Sequence, residues 1–181
     1  MASQPPYQRI LLLTEDVGEQ RIALQRTAER YFGDDKTTTI RTAISTGDAL
    51  RELGLCASHS PNAKLYGVLD YNMGKNLPGE KRPTEALFYD PTFQSYLTNG
   101  GIVVIYSGLP EQVRQSDKMM GTPQEYPNTA LLVAEKARVS LDDLFRFLAT
   151  MPPERIAGLR SRVEPVNYSL GTLLEQIRGR G

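Results

Sequence analysis

The chain has 181 residues, a length that suits one domain with an appendage better than two full domains. Its 21 lysines and arginines balance its 21 aspartates and glutamates, so it lacks the net positive charge that attracts nucleic acid or an anionic membrane. A single cysteine and a single histidine exclude a disulfide framework and a metal site built on thiolate or imidazole ligands. Because no segment approaches the roughly 18 apolar residues of a membrane span, we expect a cytoplasmic protein without nucleic-acid or membrane contacts.

Short apolar runs predict the strands of the fold. Four of them are typical of strands covered on both faces: ILLL at 10–13, LYGVL at 65–69, IVVIY at 102–106 and ALLVA at 130–134. A fifth run, TTTIRTAI at 37–44, is weaker and rich in β-branched residues, which predicts a strand nearer the edge of a sheet.

Helical patterns lie between these runs. The pattern at 19–32 predicts an amphipathic helix. We assign to its packed face Ile22, Ala23, the aliphatic stem of Arg26 and Tyr31. Residues 45–53 and 140–148 each open with capping residues. Five strand and helix units in succession predict an α/β fold with a doubly wound, five-stranded parallel sheet of the flavodoxin type.

Two segments depart from this alternation. Residues 72–91 are rich in proline, glycine and charge and predict a surface loop, with only 92–97 helical after it. From Pro152 onward, PERIAGLRSRV and SLGTLLEQI are two helical candidates with no strand between them. We therefore expect a domain at 8–150 and a helical C-terminal extension at 151–181.

Polar side chains follow four of the predicted strands, where a parallel sheet binds its ligands. In chain order they are Glu15 and Asp16 after the first strand, Asp70 after the third, Ser107 after the fourth and Lys136 after the fifth. Three converging carboxylates repel one another, so a cation should share their site, and oxygen ligands favour Mg²⁺. The ammonium and the hydroxyl can hold phosphoryl oxygens, which makes Asp70 a candidate phosphoryl-accepting nucleophile.

This ordered set resembles the receiver domain of two-component response regulators. The family has an acidic pair after strand 1, a phosphoacceptor aspartate after strand 3, Ser or Thr before a small residue after strand 4, and lysine after strand 5. The segments TEDVGEQRIAL, TGDAL, DYNMG and VSLDDLFRFL resemble the corresponding stretches of the family. The resemblance covers roughly residues 8–150. This chain departs from the pattern at Gly74 and Ala137, where the family has proline, and at Val133, where many members have an aromatic residue.

The resemblance implies a signalling module rather than a conventional enzyme. Asp70 would accept a phosphoryl group from a histidine kinase or a histidine phosphotransfer protein, assisted by Ser107 and Lys136. Mg²⁺ would bind to Glu15, to Asp16, to Asp70 and to the backbone carbonyl of Asn72. A homodimer is a further possibility for such a module.

Two other functions stay open on the sequence. A degenerate receiver that is never phosphorylated would serve as an interaction or dimerisation module, which the departures at Val133 and Ala137 favour. A phosphatase of the haloacid-dehalogenase type also has a nucleophilic aspartate after a strand. That family usually has a second acid two residues later, where this chain has Asn72, a residue that cannot act as a general acid.

Overall fold

A computed structural model of the protein describes residues 7–73, 83–152, 155 and 169–179. Its five strands are β1 (Arg9–Thr14), β2 (Thr38–Ala43), β3 (Lys64–Asp70), β4 (Gly101–Ser107) and β5 (Thr129–Glu135). All neighbouring strands are parallel, and the order across the sheet is β2-β1-β3-β4-β5. The predicted flavodoxin-like sheet is therefore confirmed, including the edge position of β2.

Helices cover both faces of this sheet, as the parallel pairing requires. They are α1 (Gly18–Phe32), α2 (Thr46–Ala57), α3 (Pro83–Leu87), α4 (Pro91–Asn99), α5 (Pro110–Arg114), α6 (Asp117–Glu125), α7 (Leu141–Thr150) and α8 (Leu170–Arg178). The side-chain oxygens of Ser45 and Ser140 accept hydrogen bonds from backbone N–H groups of α2 and α7, so both predicted caps are present.

The core consists of two apolar layers separated by the sheet. One layer joins alternate strand residues to α2 through α6 and includes Val133. The other joins the remaining strand residues to α1, α7 and α8 and includes Leu170 and Leu173. Because successive strand side chains point to opposite faces, strands with apolar residues on both faces, such as β4, serve both layers at once.

The face that we assigned to α1 is wrong except for Tyr31, which is half-buried and packs against the layer of α1, α7 and α8. Ile22, Ala23 and Arg26 are exposed, whereas the packed face consists of Leu24, Thr27, Ala28 and Phe32. The error arises at Thr27, which is polar and yet lies on the buried face. Its hydroxyl donates to the Ala23 carbonyl oxygen at 2.8 Å, so it can be buried without an unpaired donor.

The surface loop predicted at 72–91 is wrong in part, because residues 83–87 form α3 and Thr84 and Leu87 are buried. Helix α4 also starts one residue earlier than predicted, with Pro91 in its first turn and Asp90 as its cap. Proline at that position needs no hydrogen-bond partner for its nitrogen, so it starts the helix rather than breaking it. Residues 74–82 of the expected loop lie outside the described residues.

The second helical candidate of the C-terminal extension is present as α8, which packs against β5. The first candidate, at 153–163, falls on residues outside the described ranges apart from Arg155, so it stays a prediction, as does the boundary at residue 150. Within the described ranges, every helix is too short or too polar to cross a membrane.

The start of β4 provides a test of the sheet. Gly101 has φ +157°, and a Cβ added there would lie 2.0 Å from the carbonyl oxygen of Leu65 on β3. We expect Gly101→Ala to lower the free energy of unfolding by at least about 2 kcal/mol, since the clash is with backbone. Urea denaturation measures this change.

The matched control is Gly54→Ala, because Gly54 lies on the exposed face of α2 and nothing lies within 4 Å of the added Cβ. Alanine should stabilise that helix by roughly 0.5–1 kcal/mol. Equal unfolding midpoints for the two variants would contradict the close approach of β3 and β4.

Candidate functional site

Polar residues gather at the carboxyl edge of the sheet. Asp70 ends β3 and lies beside Tyr106 of β4, and Ser107 ends β4 beside Glu135. Glu15 follows β1, where its backbone N–H donates to the Ala43 carbonyl oxygen at 3.1 Å. The strand register therefore brings the predicted residues from four strands to one edge.

Lys136 is the centre of this group. Its ammonium Nζ donates to Asp70 Oδ1 at 3.0 Å, to Glu15 Oε2 at 3.1 Å and to Gln20 Oε1 at 3.1 Å. The side chains of Glu15 and Asp70 are only 6% and 8% exposed, whereas that of Lys136 is 27% exposed. Lys136 reaches both carboxylates although Ala137 follows it in place of proline.

The backbone of Asp70 is held from two sides. Its N–H donates to Thr14 Oγ1 at 3.1 Å, and its carbonyl oxygen accepts a hydrogen bond from the Thr84 hydroxyl. Thr14 is the last residue of β1 and Thr84 lies in α3, so hydrogen bonds connect the end of β3 to both β1 and α3. The carboxylate therefore projects from a fixed point of the backbone.

The acidic turn before α1 is held equally closely. Glu15 Oε1 accepts a hydrogen bond from the Val17 N–H at 3.1 Å. The Arg21 guanidinium donates to the backbone carbonyls of Glu15 and Asp16, at 3.2 and 3.5 Å. As a result, one carboxylate oxygen from each of Glu15, Asp16 and Asp70 lies within 4.8 Å of the other two.

Burial and charge shift the ionisation of this group. Burial raises the pKa of Glu15, and the negative charge of Asp70 adds to this, while the Val17 N–H and Lys136 oppose it. Burial alone would lower the pKa of Lys136, but its contacts with Asp70 and Glu15 raise the pKa above its ordinary value. The two directions agree physically, since the site has more buried negative charge than one ammonium compensates.

Ser107 is fully buried at the edge of the site. Its Oγ accepts a hydrogen bond from the Leu109 N–H at 2.9 Å, and its carbonyl oxygen accepts one from the Lys136 N–H at 2.9 Å. The hydroxyl oxygen therefore stabilises the turn that follows β4. The backbone hydrogen bond fixes the position of the Lys136 main chain.

Asn72 lies two residues after Asp70, and its side-chain Oδ1 is buried without a hydrogen-bond partner among the described residues. Such an oxygen normally pairs with a donor or a cation. The metal contact predicted for the backbone carbonyl of Asn72 stays a prediction.

Tyr106 and Val133 lie on opposite faces of the sheet. Val133 packs in the layer of α2 through α6, whereas the ring of Tyr106 packs against the layer of α1, α7 and α8. The Tyr106 hydroxyl donates to the Val139 carbonyl oxygen at 3.0 Å. Tyr106 thus does not replace the aromatic residue absent at Val133.

Four contributors to the site were missing from the sequence analysis: Thr14, Gln20, Arg21 and Thr84. Gln20 and Arg21 lie in the first turn of α1, directly after the acidic pair. Thr14 directly precedes the acidic pair at the end of a strand. Thr84 had no local signal, because it reaches Asp70 from a segment that we expected to be a loop.

The oxygen cluster is a candidate site for a hard cation. Oxygens that share one such ion at 2.0–2.6 Å lie no more than about 4–5 Å apart, which fits the spacing of the three carboxylates. The donor set contains oxygen alone, which suits Mg²⁺ or Ca²⁺ better than Zn²⁺. Comparison with protein-family models and with curated proteins finds no match to this chain.

Removing the ammonium tests the electrostatics of the site. We expect Lys136→Met to lower the free energy of unfolding by about 2 kcal/mol near pH 8, below the range for a fully buried pair because Lys136 is partly exposed. The loss should shrink near pH 5. Without the ammonium, the raised pKa of Glu15 rises further, and stability is lost as pH rises through that value.

Thermal melts at the two pH values measure this difference. Glu15→Gln added to Lys136→Met should restore most of the stability at pH 8, because it removes one uncompensated charge. A loss of equal size at both pH values would mean that Lys136 contributes by packing rather than by charge.

Proposed function

We propose that the protein is a receiver-type signalling module whose Asp70 accepts a phosphoryl group. The observation that carries the proposal is the Lys136 ammonium, 3.0 Å from Asp70 Oδ1 and 3.1 Å from Glu15 Oε2, beside a cluster of three carboxylates. A buried carboxylate held between a lysine and further acids has the charge balance that a dianionic phosphoryl group and a divalent cation would complete.

The transfer step uses the residues at the strand ends. With Oδ1 bonded to Lys136, the other oxygen of Asp70, Oδ2, attacks the phosphorus of a phosphohistidine. The Oδ2–P bond forms as the N–P bond breaks, and the departing imidazole keeps the electron pair. Lys136 holds its positive charge throughout, because its raised pKa keeps it protonated at neutral pH. The Ser107 hydroxyl would turn toward a phosphoryl oxygen.

Reversal of the signal is hydrolysis. A water molecule attacks phosphorus, the P–Oδ2 bond breaks, and inorganic phosphate leaves while Asp70 returns to a carboxylate. The fixed backbone of Asp70, held by Thr14 and Thr84, keeps the group in the same place through both steps. In this proposal the domain supplies the residues for its own phosphorylation and dephosphorylation and is not a conventional enzyme.

Mg²⁺ fits the oxygen donors of this site, and Glu15, Asp16 and Asp70 would hold it, with the Asn72 backbone carbonyl as a further ligand. When bound, it supplies positive charge for the phosphoryl oxygens. The partner that we propose is a histidine kinase or histidine phosphotransfer protein.

Metal binding can be tested without phosphorylation. Mg²⁺ at a tenfold excess over its Kd should raise the free energy of unfolding by roughly 1.4 kcal/mol. Asp16→Asn should remove most of this gain, because it replaces one of the three carboxylates of the cluster. Asp16 is the exposed member and belongs to the acidic turn. Thermal melts across a Mg²⁺ titration measure the effect.

The matched control is Asp34→Asn, an equally exposed aspartate just after the C-terminal end of α1. It should respond to Mg²⁺ like the wild type. A Mg²⁺ response that Asp16→Asn and Asp34→Asn both keep would place the bound ion elsewhere.

The phosphoryl transfer itself is tested with a small phosphodonor, acetyl phosphate, in the presence of Mg²⁺. Intact mass should show one added phosphoryl group on the wild type and none on Asp70→Asn. We expect Lys136→Met to be phosphorylated at least tenfold more slowly, since removing one charge-stabilising contact typically costs a factor of this order or more.

Three outcomes lead elsewhere. No modification under excess donor would favour a degenerate receiver, and modification of a residue other than Asp70 would contradict the assignment of the acceptor. Turnover of a generic phosphate ester by the wild type but not by Asp70→Asn would indicate a phosphatase.

A further inference from the structure

Helix α8 closes the outer edge of the sheet. β5 is an edge strand, and its Val133 forms a parallel bridge with Ser169, the residue that caps α8. Leu170 and Leu173 of α8 are buried in the layer formed with α1 and α7. The C-terminal helix thus covers an edge that would otherwise present unpaired backbone groups to a partner.

The turn after β5 joins α8 to the site. The Glu135 carbonyl accepts hydrogen bonds from the N–H groups of Arg138 and Val139, at 3.0 and 2.9 Å, which closes a tight turn directly after Lys136. Arg138 Nη2 reaches Glu175 Oε1 on α8 at 3.0 Å. A Cβ added to Gly171 would lie 3.4 Å from Arg138 Cζ, so the guanidinium lies against the helix backbone.

Tyr106 links the same turn to the ammonium. Its hydroxyl donates to the Val139 carbonyl oxygen at 3.0 Å, and its ring centroid lies 5.5 Å from Lys136 Nζ. Lys136 contacts Asp70, and Arg138 contacts α8, with one residue between them. The Lys136 side chain and the Arg138 contact with α8 therefore belong to the same turn.

The ion pairs that hold α8 are weak contacts. Arg138–Glu175 and Arg178–Asp143 are partly exposed ion pairs, which contribute little to stability. A helix of nine residues does not persist in water without packing, so detachment of α8 also melts it. Docking and helicity of this segment are thus lost together.

From these contacts we infer that α8 reads the charge state of the site around Asp70, through Lys136 and the turn at 136–140. A phosphoryl group at Asp70 adds negative charge, which attracts the Lys136 ammonium. The turn then shifts, and Arg138 loses its contact with α8. The helix then detaches more often and uncovers the edge of β5. This inference rests on the proposed function for the identity of the signal, a phosphoryl group.

Amide hydrogen exchange across residues 169–179 tests the inference in the full chain. Beryllium fluoride with Mg²⁺, a mimic of the acyl phosphate, should accelerate exchange there roughly fivefold, the low end of usual allosteric coupling. Asp70→Asn should abolish the change. If exchange changes around Asp70 but stays constant at 169–179, the inference is wrong and the proposed function stands.

A second comparison measures the coupling without any phosphoryl mimic. Lys136→Met should accelerate exchange at 169–179 in the absence of ligand, whereas Lys118→Met, which removes a lysine paired with Glu125 on α6, should not. If beryllium fluoride changes nothing in the protein, the proposed function fails. In that case unchanged exchange at 169–179 in Lys136→Met overturns the inference as well, and accelerated exchange upholds the coupling alone.

The ion pair on α8 is tested by exchanging its charges. Arg138→Glu and Glu175→Arg should each accelerate exchange at 169–179, and the double variant should return it toward the wild-type rate. Additive effects in the double variant would mean that Arg138 does not hold α8 through Glu175.

Discussion

The structure of the site depends on one constraint, the burial of two carboxylates against a single ammonium. Glu15 and Asp70 lie at the ends of neighbouring strands and are almost fully buried, so each depends on Lys136 to compensate its charge. The strand order makes this contact possible, because β1 and β4 flank β3, and β5 brings Lys136 from the next position. Removing one partner leaves the other buried without compensation. The same arrangement leaves more negative than positive charge at the site, and our proposals of cation binding and phosphoryl transfer rest on this excess.

Most of the site could be predicted because a parallel sheet collects the residues that follow its strands. Asp70, Glu15 and Lys136 lie where the apolar runs end, and the sheet order alone brings them together. Contacts made by segments without a strong pattern could not be predicted in this way. Thr84 reaches Asp70 from a stretch rich in proline and charge, and its role depends on α3, a helix of one turn. The prediction of the packed face of α1 was wrong because Thr27, although polar, is buried with its hydroxyl hydrogen-bonded within the helix.

The structure shows what surrounds a position at which the chain departs from the receiver pattern. Val133 has no aromatic ring to move, and its backbone is bridged to Ser169 of the C-terminal segment. Tyr106, whose ring centroid lies 5.5 Å from Lys136 Nζ, faces the opposite layer and bonds to the turn that holds α8. In the function that we propose, the C-terminal helix and this tyrosine would carry the signal away from the site. In this account the signal passes toward α8, instead of along the face that contains Val133.

The central claim is that Asp70 forms an acyl phosphate. Borohydride reduction after treatment with the phosphodonor tests it most directly, because the hydride reduces an acyl phosphate to an alcohol and leaves a free carboxylate unchanged. Peptide mass spectrometry should then find homoserine in place of aspartate at position 70, in an amount that requires Mg²⁺ during phosphorylation. Homoserine at another position, or aspartate unchanged at position 70 in protein that carries the added phosphoryl mass, would contradict the account.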